Sequence, residues 1–260
     1  MLQQLATLFR YRLLIQSLVG RELKARYRGS ILGFFWSFIN PLLLLLIYAL
    51  VFAYVLPPGA AAKQPWFLFL FCGILPWTWF SSSIAESAGV LIAGGNLIKK
   101  VLFPAEVLPV VSVLTNFVHF LLGLPILFLF LAIKGHLHVS ALLLPLPILV
   151  QLVFTIGLAL IFSALTVHFR DLQDILGHIL HLWFWGSPIL YDYGIIQGAF
   201  RMVLRFNPLA HVLVSYQQML FDGSFDHWSG LFCAALCAIL VFALGSFLFE
   251  RLRDTLAEEV

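Results

Sequence analysis

Few side chains in this sequence have types and spacings that could do chemistry. Asp174, His178 and His181 recur at intervals of four and three, which on a helix places a carboxylate and two imidazoles on one face. Those are zinc-ligand types. One helical face encircles an ion poorly without a fourth ligand from elsewhere, and the same set reads as a polar helix lining; no metal site is expected. Glu86 stands in an apolar stretch with Ser81, Ser82, Ser83 and Ser87 around it. A carboxylate in hydrocarbon is costly and faces a bundle interior or water. Glu86 therefore reads as a pore-side group, or as one near enough to the membrane surface to be solvated. His119, beside Asn116, reads as a hydrogen-bonded packing histidine. Asp192, Asp222, Asp226, His211 and His227 offer acids and bases for a membrane enzyme acting on lipid-linked sugars, yet no recognisable spacing joins them. No catalytic residue is assigned.

Nucleotide chemistry is excluded more firmly. The loop G-x-x-x-x-G-K-[ST] cradles phosphates with backbone amides and a lysine, and the 260 residues contain no Gly-Lys dipeptide. Cys72, Cys233 and Cys237 lie in apolar runs, without metal spacing or a disulfide framework. A net charge of +3 is too small to argue for nucleic acid.

The elements that position these residues follow from composition. Hydrophobic residues make up 62% and charged residues 10%, with a mean hydropathy of +1.02. A soluble domain is about 45–50% apolar and about 25% charged, so the chain is an all-α integral membrane protein. A span takes about 20 apolar residues, and charge-poor intervals supply six: Ile31–Leu56, Gln64–Ala85, Val107–Ile133, Leu142–Val167, Ile175–Tyr191 and His227–Phe249. Six spans put both termini on one side. With that side cytoplasmic, the inner segments hold Arg10, Arg12, Arg21, Lys24, Arg26, Arg28, Lys99, Lys100, Arg170, Arg251 and Arg253. The outer segments hold only Lys63, Lys134, Arg201 and Arg205, and positive charge favours the inside.

Two segments fall short of spanning. Residues 1–19 place Leu2, Leu5, Phe9 and Leu13 on one helical side and polar residues on the other, which predicts an amphipathic helix in the headgroup layer. Residues 191–228 hold two short apolar stretches broken at Asn207-Pro208, which predicts two short outer-side helices. The whole reads as one domain: an interface helix and basic segment (1–28), spans one to five (31–190), an outer gate-like segment (191–228), span six (229–249) and a cytoplasmic tail (250–260). Asn40-Pro41 falls inside the first span, where a proline bends a helix, either as a packing bend or as part of a gate. Tryptophans near the predicted interfaces read as belt anchors. Trp77, Trp79, Trp183 and Trp185 also have the flat faces on which sugar rings stack.

The stretch Arg21–Pro41 (RELKARYRGSILGFFWSFINP) resembles the opening of ABC-2-type permeases that export lipid-linked polysaccharides such as O-antigen, capsule and teichoic acid. Asn96–Pro109 (NLIKKVLFPAEVLP) resembles the family's loop after the second span. Phe169–Leu172 (FRDL), Ser187-Pro188 and Asn207-Pro208 follow in the family's order. The resemblance implies a transmembrane subunit of an ATP-driven exporter in the bacterial inner membrane, multi-pass and homodimeric. Its cargo would be an undecaprenyl-linked polysaccharide, O-antigen foremost; the alternatives are a permease for a drug or small lipid, or the membrane enzyme considered above. Two copies of a separate P-loop ATPase would carry ATP and Mg, with no cofactor bound by this chain. Docking on that ATPase would fall to Arg21, Lys24, Arg26 and Arg28 and to the loop holding Asn96, Lys99, Lys100, Phe103 and Glu106. The basic cluster alone also reads as ordinary attraction to anionic lipid. A substrate path would include Asn40, Glu86 and the four tryptophans.

Overall fold

A computed structural model describes residues 7–51, 54, 63–95 and 104–259, with the side chains of Phe34 and 253–259 left aside. Among the described residues the chain is helical, with no strand. Helix α1 covers Arg12–Arg26. A tight turn at Gly33–Phe35 leads into α2, Trp36–Leu50. Helices α3, Trp66–Ala93, and α4, Val107–Ile133, follow. A short turn at Val139–Leu143 runs into α5, Pro145–His168, and α6 is Leu172–Trp185. Two short helices, α7 (Ala199–Phe206) and α8 (Pro208–Gln217), precede α9, Trp228–Glu259.

Four of these segments are long and apolar enough to cross a membrane: Trp66–Ala93, Val107–Ile133, Val139–His168 and Trp228–Leu252. Their directions follow from the contacts. The start of α3 lies beside the end of α8, since Lys63 bonds Asp222 at 2.6 Å. The same end holds the exit of α4 (His136 to the Phe221 carbonyl, 3.3 Å) and the approach to α5 (Ser140 to the Met219 carbonyl, 2.7 Å). At the opposite end, Leu91, Ala105, Leu108, Val167 and Phe249 form one apolar cluster. Helices α3, α5 and α9 therefore run one way and α4 the other. Helix α3 is the hub: Leu68, Phe69, Leu70, Phe71 and Cys72 are all buried, and a helix apolar on every side belongs inside a bundle.

Helices α5 and α9 lie parallel and unusually close, because neither has a side chain at the crossing. A Cβ on Gly157 would sit 2.6 Å from the Phe242 nitrogen, and one on Gly245 would overlap the Gly157 carbonyl. Small residues at such crossings let helix backbones approach and gain dispersion contacts.

Several boundaries differ from those read off charge. Helix α3 carries Glu86 on to Ala93, past the charge-free interval that closes at Ala85, and stops at Gly94, where the sequence run Gly94-Gly95-Asn96 also ends it; α9 continues through the expected tail to Glu259. In place of the expected fifth span, Ile175–Tyr191 with an earlier start in the Arg170–Asp174 turn, helix α6 begins in that turn at Leu172 but ends at Trp185 after 14 residues, before Gly186-Ser187-Pro188. Helix α2 has 15 residues, and part of the expected first span (52–53 and 55–56) lies outside the described residues. Leu2 and Leu5 also lie outside them. Phe9 and Leu13, expected on the apolar face of the N-terminal helix, are exposed. The opposite side, Ile15 and Leu18 with Leu8 and Leu14, packs on Val107 and Val111 of α4, which leaves Phe9 and Leu13 facing outward, as a helix in the headgroup layer requires.

Gly157→Ala is expected to force the α5 and α9 backbones apart and destabilise the chain by about 1–3 kcal/mol, the usual cost of overpacking. Gly177→Ala in α6, where a Cβ meets open space, serves as the control and is expected to be neutral or slightly stabilising. Thermal unfolding of the purified chain in detergent checks both; equal midpoints for the two variants would show that the crossing tolerates a methyl group.

Candidate functional site

A polar seam runs between the end of α1 and helices α2, α3 and α4. At its centre Arg26 reaches Glu86 with two hydrogen bonds from one terminal nitrogen, 2.8 Å to Oε1 and 2.7 Å to Oε2. Asn116 donates its amide to Glu86 Oε2 at 2.7 Å, and its own oxygen accepts from Arg26 at 3.4 Å. Both charged side chains keep about a third of their surface, 31% for Arg26 and 38% for Glu86. A second cluster adjoins the first. Ser37 donates to the Tyr27 oxygen at 2.7 Å, which leaves the phenolic proton for His119 Nε2 at 2.6 Å. The Arg26–Glu86 pair stands between two cavities. One, about 710 Å³, is lined by Arg21, Glu22, Glu86, Gly89, Ser112 and Gln173. The other, about 540 Å³, is lined by Tyr27, Asn40, Thr78, Ser82, Asn116 and His119. Arg26 lines both.

The smaller cavity is lined by hydrogen-bonding side chains and by the rings of Trp36, Trp79 and Phe120. Trp79 is itself buried, stacked on Phe120 with ring centroids 5.0 Å apart and donating to the Val113 carbonyl at 3.3 Å.

Of the residues singled out from sequence, Asn40, Trp79, Glu86 and Arg26 come together here, and Arg21 reaches the larger cavity. Lys24 and Arg28 are exposed near the end of α1. Trp77 packs in the core on Phe80 and Phe184. Trp183 packs on Phe80 and donates to Asn207 at 3.0 Å. Trp185 is exposed, and neither cavity is lined by Trp77, Trp183 or Trp185. Glu106 is buried at the start of α4, with one carboxylate oxygen unpartnered among the described residues. Asn96, Lys99, Lys100 and Phe103 lie outside the described residues. Asp174, His178 and His181 are all exposed on α6, and among the described residues no three metal-ligand side chains are placed to hold an ion. The sequence reading did not single out Tyr27, Ser37 or Thr78. The available signal was general: an intramembrane acid takes a cation or polar partners, and Arg26 is one of several cations in the sequence that could supply it.

At the end of the bundle where α3 begins, side-chain bonds fasten the short helices. Asn207 caps α8 by accepting from the Leu209 and Ala210 amides, and donates to the Gly186 carbonyl and Ser187 Oγ at 3.1 Å each. Lys63 holds Asp222 and, at 3.1 Å, Asp192. Burial works against the Lys63 charge, but the bonds and charges of the two aspartates outweigh it and raise its pKa.

Comparison with known proteins adds the family. Residues 13–221 match the model of the ABC-2 type transporter family. The chain is 39% identical over its full length to the O-antigen export system permease protein RfbA of Myxococcus xanthus, covering 100% of both chains. It is 33% identical to the protein of that name from Klebsiella pneumoniae, over 94% of each chain. The polysialic acid transport protein KpsM of Escherichia coli is 21% identical over 93% of this chain.

Glu86→Ala strands the Arg26 guanidinium and is expected to cost about 1–2 kcal/mol, the low end for bonds to a charged group because the pair is part-exposed. The exchange Arg26→Glu with Glu86→Arg is expected to recover part of that loss. Unfolding midpoints of the purified variants decide. An unchanged midpoint for Glu86→Ala would make the pair incidental to the fold.

Proposed function

The chain belongs to the ABC-2 type transporter family, and on that premise we propose that it is the membrane subunit of an ATP-driven exporter of a lipid-linked polysaccharide, O-antigen in particular. The observation that carries this is full-length similarity, at 39% and 33% identity, to two permeases named for O-antigen export.

The architecture proposed is six spans, with α2 and α6 completing the four long helices. At 1.5 Å per residue α2 and α6 reach about 21–22 Å, short of the hydrocarbon thickness on their own. Contacts support a crossing by α6 nonetheless. Its first turn sets Gln173 against Gly89 near the end of α3, while Phe184 meets Trp77 and Trp183 reaches Asn207 towards the other end. The charge distribution puts both termini in the cytoplasm of a bacterium, with the chain in its inner membrane.

A homodimer supplies what one copy lacks. Asp174, His178 and His181 are exposed on α6, and ionisable side chains on a membrane helix face water or protein rather than lipid. A second copy across a two-fold axis, enclosing a hydrated path between the two α6 faces, gives these residues such surroundings. The seam around Arg26, Glu86 and Tyr27 would receive the cargo's hydroxyl groups. Two ATPase partners would bind ATP and Mg, dock on Arg21, Lys24 and Arg28 and on the loop Asn96–Glu106, and pass their motion to α1, α3 and α4. The lack of a phosphate-cradling loop in this sequence supports assigning hydrolysis to those partners.

In a strain deleted for this permease and supplied with its ATPase partner, the wild-type chain is expected to restore polysaccharide at the cell surface. Phe103→Ala and the pair Lys99→Glu, Lys100→Glu are expected to insert normally yet export little. A lost apolar anchor costs about 2 kcal/mol or more of docking energy, and reversed charge adds repulsion. Full export by both variants would reduce the loop to a connector, and failure of the wild type to restore surface glycan would remove the polysaccharide reading. His178→Cys is expected to form a disulfide between two copies in membranes; a strictly monomeric product under oxidation would place α6 away from the two-fold axis.

A further inference from the structure

A third cavity, about 540 Å³, lies between α7 and the first turns of α9, remote from the Arg26–Glu86 seam, and its walls divide by chemistry. One wall carries Arg201 and Arg205, a helical turn apart on α7; another is apolar, with Phe206, Pro208 and Ala234. Arg201 lies over the Tyr193 ring, 5.8 Å from its centroid, and neither arginine has an acidic partner among the described residues. The nearby carboxylates of Asp192 and Asp222 are already taken by Lys63.

The floor is built to fixed geometry. His211 Nε2 lies 2.9 Å from the Arg205 carbonyl, which only accepts, so that nitrogen carries the proton. His211 Nδ1 and His227 Nε2 lie 2.8 Å apart and share one hydrogen bond. Burial, and then the neighbouring His211, push the His227 pKa down to about 4, so His227 is neutral near pH 7. A Cβ on Gly230 would overlap both imidazoles, so the stacked pair depends on that glycine. Two arginines bring positive charge to the pocket, and the His211 bond to the Arg205 carbonyl anchors the helix end that carries them. Phe206 of the apolar wall is exposed, as are Met202 and Val203 on the same helix and Phe232 on α9, apolar side chains of the kind that meet lipid in a membrane protein.

We propose that this cavity binds a phosphate carried on a hydrocarbon chain, with the phosphate on Arg201 and Arg205 and the chain along the α9 wall. Guanidinium groups match phosphate oxygens in charge and in fork geometry, and the apolar wall and rim suit the adjoining methylenes. Such a phosphate is present on a bilayer phospholipid and on an isoprenoid-linked saccharide, and the site's chemistry is common to both.

Cys233 lines the cavity and is exposed, whereas Cys72 is buried; with Cys237→Ser, maleimide labelling of Cys233 reports occupancy. Labelling of the full chain in detergent is expected to slow by the factor 1 + [L]/Kd, about tenfold at about ten times Kd, when farnesyl phosphate or dioctanoyl phosphatidylglycerol is added. Protection by farnesyl phosphate alone identifies an isoprenoid-linked source, protection by phosphatidylglycerol alone a bilayer source, and protection by both a site for either. Arg201→Gln with Arg205→Gln is expected to abolish protection, and the corresponding lysine pair to keep most of it. The single glutamine variants are expected to weaken it, which covers a double variant that fails to fold. Equal protection by uncharged farnesol, undiminished protection in folded glutamine variants, or no protection by either phosphate-bearing lipid would overturn the proposal.

Discussion

Hydrocarbon offers a polar group no partner, so each one on a membrane helix must be answered within the protein. That constraint governs how this bundle is put together. Backbone groups are answered by helix. Hydroxyls fold back on their own helices: Thr78 to the Ile74 and Leu75 carbonyls, Ser83 to Trp79, Thr166 to Phe162. Side-chain amides do the longer work. Gln151 on α5 donates to the Pro76 carbonyl of α3 at 2.8 Å, and Gln217 donates to the Pro188 carbonyl at the same distance. Each such bond joins two elements that apolar packing alone would leave free to slide. The Arg26–Glu86 pair is the costliest instance, since it sets a formal charge on the hub helix and calls in α1 to compensate it.

That pairing also explains the character of α1. Its apolar contact with α4 is made by Ile15 and Leu18 with Leu8 and Leu14, while its far end is held by a charge-assisted bond and by Tyr27. The helix is thus attached at one end by area and at the other by electrostatics. The second kind of attachment is directional and is lost with small displacements, so the Arg26 end is the one whose detachment would open the way between the two cavities.

Much of this was legible in the sequence, and the remainder fails for identifiable reasons. The interval Val107–Ile133 and helix α4 share both ends because charges at Glu106 and Lys134 flank it. The membrane class, the family and its polysaccharide-exporting relatives were all readable from composition and from motifs such as Arg21–Pro41. What local pattern cannot give is pairing at a distance. Arg26 and Glu86 are 60 residues apart and Tyr27 and His119 92 apart, so a basic cluster and an isolated acid looked like separate features. A charge ends an interval in hydropathy but does not end a helix: α3 carries Glu86 on to Ala93 and stops at Gly94. Trp77 and Trp79, two residues apart, both turn inward because α3 is surrounded, and no periodicity in the sequence distinguishes a surrounded helix from a lipid-facing one.

Asn207 has a mechanical consequence. Its side chain takes the Trp183 indole proton, gives two protons to the Gly186-Ser187 turn, and caps α8 in the same geometry. Three pieces of chain are thereby riveted at one amide group, and α6 with the first turn of α8 forms a crank. Any travel of α6 along its axis must be matched by a swing of α8, or all of these bonds break together. A displacement of either helix end therefore loads all of these bonds at once, at a joint one residue wide.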